Sequence, residues 1–131
     1  MREVAQLVER RIKGVLIIVL KKGEGIMKVF ISQPIKGKSY EDIIQSRNNA
    51  IFNLVEKFPD EDLKIIESFI PAMYYDANNN PIVGLGTCIG LMGDADLVYM
   101  CKGWEESRGC SIERRVAIDY EIPVIYELAG N

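Results

Sequence analysis

The residues best suited to chemistry lie together near the C-terminus, in Lys102-Gly103-Trp104-Glu105-Glu106-Ser107-Arg108-Gly109-Cys110-Ser111-Ile112-Glu113. This segment is polar, carries two glycines and runs into helical spacing. A helix N-terminus offers unpaired amide N–H groups and the positive end of the helix dipole, so an anion site is expected there. Ser107 and Arg108 add a hydroxyl and a cation suited to a phosphate. Glu113 is expected in the first turn of the helix, where the dipole favours its ionised form. A carboxylate so placed can act as a nucleophile or stabilise an oxocarbenium ion. On spacing alone the plainer alternative, an acid that serves only the helix end, stands first. Trp104, the only tryptophan, can stack on a base or on tyrosines, or simply anchor the loop. Arg114 and Arg115 are expected on a solvated helix face. A second loop, Ser32-Gln33-Pro34-Ile35-Lys36-Gly37-Lys38, leaves the first strand of the body and completes the candidate binding set.

What is missing narrows the chemistry further. The 131-residue chain has no histidine, so a Ser-His-Asp triad, a Cys-His dyad and a His-ligated metal are excluded within it. Catalysis must use carboxylates, hydroxyls, thiols, amines or backbone dipoles. Cys88, Cys101 and Cys110 form no C-x-x-C and are read as reduced, buried thiols of a cytoplasmic protein. No metal site and no cofactor are expected. With a net charge of −3 the chain is not suited to nucleic acid or to an anionic membrane surface.

Strand and helix signals alternate along the body. Lys28 to Ser32 reads as a buried strand. Ser39 reads as the N-cap of an amphipathic helix over residues 40–57, with Ile44, Ile51, Leu54, Val55 and Phe58 at helical spacing. A second strand is expected from Leu63 to Ile70, stopped by Pro71. Asp76 to Asn80 reads as a polar turn, and Asn80-Pro81 opens a helix whose core face is read as Ile82, Leu85, Ile89 and Met92. Ala95 to Cys101 gives the third strand. Ile112, Val116, Ala117 and Tyr120 mark the last helix, and Glu121 to Tyr126 the last strand. The class is therefore α/β: three layers, with a doubly wound, mostly parallel sheet of four to five strands, flavodoxin- or Rossmann-like. Ligands of such sheets bind at the C-terminal strand ends, where the connectivity reverses.

The first 26 residues differ from the rest. They hold six basic and three acidic residues, a net +3, whereas residues 27–131 hold ten basic and sixteen acidic, a net −6. Val4-Ala5-Gln6-Leu7-Val8-Glu9-Arg10 can be encoded by the D-arm of a bacterial tRNA gene, and Lys22 to Gly25 by purines alone, as in a ribosome-binding site. The expectation is that 1–26 are a non-native or disordered extension, that Met27 is the start and that 27–131 form the domain. A phage or prophage origin would fit a start beside a tRNA gene.

Met27-Lys28-Val29-Phe30-Ile31-Ser32-Gln33-Pro34, Ala95-Asp96-Leu97-Val98-Tyr99 and the segment Gly103 to Glu113 together resemble a small bacterial and phage domain family of unknown function. That family is related to nucleoside 2-deoxyribosyltransferases. The resemblance covers Met27 to Glu127, and GWE-x-SRG-x-x-x-E is its most specific part. It implies N-glycosidic chemistry, in which a glutamate matched by Glu113 attacks the anomeric carbon of a 2-deoxyribose. Ser107 stands where the related monophosphate hydrolases carry a phosphate-reading serine, which favours a 5′-monophosphate. Ser32, Gln33 and Pro34 match the first ligand loop, and Gly103, Trp104, Ser107, Arg108 and Gly109 complete the candidate substrate-binding set. The resemblance also implies a homo-oligomer and a small nucleotide or nucleoside as partner. Cys88 stands where the enzymes have an aspartate, and a thiol protonates a leaving base poorly. Arg114 replaces an uncharged residue or a histidine. The alternative expectation is a non-catalytic nucleotide-binding module that senses or sequesters its ligand.

Overall fold

The computed structural model describes residues 26–69 and 80–128 in full, and two further strands by their backbone. Those strands, β1 (Gln6–Ile12) and β2 (Val15–Lys21), pair antiparallel as a separate two-stranded sheet. The expected strand stop at Pro71 and the turn residues 76–79 fall outside the described residues.

The main sheet is parallel, with strands in the order β4-β3-β5-β6. These are β3 (Ile26–Ser32), β4 (Asp62–Ile65), β5 (Leu97–Met100) and β6 (Val124–Tyr126). Three helices connect them: α1 (Tyr40–Lys57), α2 (Pro81–Met92) and α3 (Arg108–Asp119). The chain goes outward from β3 to β4, then crosses back over to β5. The connectivity therefore reverses between β3 and β5, and this is a doubly wound α/β fold of the flavodoxin/Rossmann-like kind.

The strands have side chains on both faces in the core, as parallel strands require. Met27, Val29, Ile31, Leu97, Tyr99, Cys101 and Ile125 pack with Ala50 and Leu54 of α1. Phe30, Val98, Met100 and Val124 pack with Cys88 and Met92 of α2 and with Cys110 and Ala117 of α3. Among the described residues one layer thus holds α1 and the other holds α2 and α3. Asp96 ties the sheet at its N-terminal side: its carboxylate accepts from Lys28 N at 2.9 Å, and its own N–H donates to Lys28 O at 2.8 Å.

Ser39 caps α1 as expected, accepting from Asp42 N at 3.0 Å. Leu54 and Phe58 of the expected row are buried, but Ile43, Arg47 and Ala50 complete the inward face where Ile44 and Ile51 were expected, and Val55 is exposed. The buried row of α2 is Gly84, Cys88 and Met92, while Ile82 is 80% exposed. α2 and α3 are in van der Waals contact: a Cβ on Gly109 would stand 4.0 Å from Leu85 Cδ1. On α3 the buried row is Cys110, Glu113 and Ala117, and Tyr120 is 77% exposed. The second strand is shorter than expected. Ile66 N still donates to Val29 O at 2.9 Å, but Ser68 N turns back to Ile66 O at 2.8 Å and the chain leaves the ladder. The C-terminus of α3 closes with Ile122 N on Ala117 O and Glu121 N on Ile118 O, and Glu121 takes the left-handed position at φ 62°.

Candidate functional site

β3 ends at the point where the connectivity reverses, and its last residues point to opposite layers. Ser32, 1% exposed, turns to the α3 layer and donates to Glu113 Oε1 at 2.6 Å. Gln33 turns to the α1 layer. Its Nε2 donates to Ile43 O at 3.0 Å, and its Oε1 accepts from Arg47 Nη1 at 3.2 Å. Arg47, 9% exposed, also donates through Nη2 to Ile66 O at 2.8 Å, where the chain leaves β4. Among the described residues Arg47 has no ion-pair partner. Burial lowers its pKa, opposed chiefly by the charge of Glu67.

Glu113 is 7% exposed and sits in the second turn of α3, not the first. The helix starts earlier than expected because Ser107 is its N-cap, accepting from Cys110 N at 3.3 Å. Ser111 donates its hydroxyl to Trp104 O at 3.3 Å instead. Glu113 is therefore beyond the turn of unpaired amides, and burial dominates its charge state. Burial pushes its carboxyl up to about 7, against hydrogen bonds from Ser32 and Cys88 that favour the ionised form. Burial likewise pushes the Cys88 thiol up to about 12, helped by the nearby Glu113 charge. Cys88 Sγ lies 3.7 Å from Ser68 O, its acceptor.

Glu113, Gln33, Cys88, Ser68, Phe30, Ile31, Ile35 and Phe69 line a small, partly open cavity. It gives a water molecule's centre about 20 Å³, enough for one water or one ligand atom. That volume is smaller than a sugar ring. Phe69 packs against Tyr40, with ring centroids 5.7 Å apart.

The remaining expected site residues surround this point without all facing it. Gly103 is left-handed at φ 90°, and a Cβ there would lie 3.6 Å from Pro34 Cγ, so the two loops touch. Pro34 also lines a polar groove of about 250 Å³ on the α1 side, with Lys38, Asp42, Ser46, Asn49, Lys102 and Glu127. Ser107, Arg108 and Gly109 form the N-terminus of α3, with Arg108 exposed. Trp104 stacks on Tyr126, ring centroids 5.6 Å apart. Arg114 is not on a solvated face: its guanidinium lies 4.9 Å from the Trp104 ring centroid, and Nε donates to Tyr126 OH at 2.7 Å. Arg115 is solvated and pairs with Asp119 at 3.0 Å.

Residues 27–126 match DUF4406, described as a domain of unknown function. The chain belongs to the DUF4406 family. The matched span contains the whole Ser32–Gln33–Arg47–Glu113 arrangement. No curated protein and no solved structure matches the chain. Among the described residues of this DUF4406 protein, no His, Cys, Asp and Glu side chains group to hold a metal, and no helix is long and apolar enough to cross a membrane.

The residues that sequence reasoning missed are Arg47, Ser68 and Phe69. Arg47 leaves one signal, a cation inside an otherwise apolar i, i+4, i+7, i+11 row from Ile43 to Leu54. Ser68 and Phe69 leave none, because they reach the site only through the early exit of the chain from β4.

Proposed function

We propose that this DUF4406 domain cleaves or exchanges the N-glycosidic bond of a 2′-deoxynucleoside 5′-monophosphate, with Glu113 as nucleophile. The observation that carries the reading is the buried Glu113 carboxylate, held through Oε1 by Ser32 at 2.6 Å beside a cavity at the reversal point of the sheet. The Ser32 bond fixes the carboxylate and leaves Oε2 to attack the anomeric carbon. The C1′–N bond breaks, the base departs, and water or a second base then displaces Glu113 from C1′. The N-terminus of α3, with Ser107 and Arg108, supplies the groups for the 5′-phosphate. Further support is the resemblance of the segment Gly103 to Glu113 to the domain family related to 2-deoxyribosyltransferases, which also motivates the homo-oligomer as part of the proposal.

Incubation with a panel of deoxynucleoside monophosphates, followed by chromatography of free base, tests it. Release should rise with pH through about 7 as Glu113 ionises, and Glu113→Gln should abolish it. Absence of base from every nucleotide would end the catalytic reading. The environment of Cys88 favours a second reading, a nucleotide-binding module, because its thiol stays protonated and bonded to Ser68 O. That reading requires saturable binding that survives Glu113→Gln and is lost in Ser107→Ala with Arg108→Ala.

A further inference from the structure

Resting on the glycosidic reading above, one question of chemistry remains: what happens to the electron pair that the base takes with it. Enzymes usually protonate the base. Here the Cys88 thiol, which bonds to Ser68 O and interacts with Glu113, is held protonated by burial, and so weak an acid protonates a leaving base poorly. No histidine exists in the chain. The walls of the cavity offer a different device. A guanidinium has no acceptor, so Arg47 forces the oxygen of the Gln33 amide toward itself. The amide nitrogen is thereby fixed on the other side. One of its hydrogens goes to Ile43 O, and the second has no partner among the described residues. Gln33 lines the same cavity as Glu113 but belongs to the opposite layer. In-line displacement places the leaving base on the side of C1′ away from the nucleophile, and Gln33 is the amide donor that lines the cavity with Glu113.

We infer that the base leaves as an anion whose carbonyl oxygen is held by the Gln33 amide N–H, with buried Arg47 as the positioning residue that orients and polarises that amide. Glu113 Oε2 bonds to C1′, and the C1′–N pair moves onto the base and spreads to the oxygen beside the glycosidic nitrogen. Water then adds its oxygen to C1′, the bond to Glu113 breaks, and the proton lost by the water balances the one that the base anion takes up in solvent. The substrate class follows. It comprises deoxynucleotides whose acidic base carries a carbonyl beside the glycosidic nitrogen, such as uracil or thymine. Cytosine and adenine, which depart readily only after ring protonation, are poor substrates.

The test uses the full chain with dUMP, 5-fluoro-dUMP and dCMP. Fluorine makes the base a better anion and a worse proton acceptor, so release from 5-fluoro-dUMP should be faster than from dUMP, and dCMP should be slower by at least about tenfold. The pH profile should rise once through about 7 and then stay level, because no acid has to remain protonated. Gln33→Glu keeps a partner for Arg47 but removes the donor; kcat should fall by about 10²-fold with KM little changed. Arg47→Met should widen the gap between 5-fluoro-dUMP and dUMP, and Arg47→Lys should restore part of the rate. Glu113-dependent release that is slowed by fluorine, or that falls again at alkaline pH, would overturn the inference and leave the glycosidase standing. Absence of Glu113-dependent release from all three nucleotides would remove both.

Discussion

On either side of the end of β3 each layer buries a charged group, and the two do so differently. In the α1 layer the cation is Arg47, and its hydrogen-bonding atoms are matched to neutral oxygens of Gln33 and Ile66. In the α2–α3 layer the acid is Glu113, held by one strong hydrogen bond from Ser32 beside a cavity. A direct ion pair between the two would satisfy both charges and leave nothing to act on a ligand. The end of β3 keeps them apart by sending Ser32 to one layer and Gln33 to the other. The α1 layer is thus built for fixed geometry, whereas the α3 layer holds a carboxyl near its midpoint of ionisation at neutral pH.

The sharpest break in this comparison comes from equal-sized perturbations of each layer. Leu54→Ala empties a fully buried position against Val29 and Tyr99 and should cost about 3 kcal/mol in urea unfolding. Glu113→Gln, in the other layer, should do the opposite above neutral pH. Folded Glu113 keeps its proton up to about pH 7, whereas the unfolded carboxyl loses it near 4.5. Between these values the folded state binds more protons, so stability falls as pH rises, by roughly 3 kcal/mol in total. The glutamine variant should show no such fall, and a thermal-melt series from pH 4 to 9 checks it. An unchanged pH dependence would mean that burial does not control Glu113.

Smaller effects sharpen the boundaries of the α3 layer. Ser107→Ala removes the N-cap and should cost about 1 kcal/mol, while Ser111→Ala should cost less. The reverse order would move the helix start back to where sequence reasoning put it. Glu121→Gly relieves an L-residue at φ 62° and should stabilise by about 0.5–1 kcal/mol. Ile82→Ser, on the exposed side of α2, should change stability by less than about 0.5 kcal/mol; a larger loss would restore Ile82 to the core.

Much of this was legible in the chain. Lys28 to Ser32 and Leu97 to Met100 are apolar at nearly every position, which only a sheet covered on both faces demands, and Ser39 announced α1. Glu113 and the two loops were legible as site candidates because a histidine-free chain leaves few groups that can do chemistry. The faces of the helices were not. On α2 the inward row is Gly84, Cys88 and Met92, and of the expected apolar face only Met92 is buried, with Ile82 exposed. On α3, Ser107 and Ser111 are both competent caps, and the 3-10 turn Trp104–Glu106 decides between them by taking Ser111 as a donor. Arg47 escaped notice because a cation in an apolar row is legible as a neighbour of the site only once the exit of β4 is known.

Trp104 has a practical consequence. It is the chain's only tryptophan, and it sits between the switch-point loop and α3, stacked on Tyr126 and Arg114. The protein therefore carries a single indole fluorophore beside the loop that leads into α3. Its emission reads out movement of that loop without labels, and Arg114→Ala would shift the spectrum by uncovering one face of the indole.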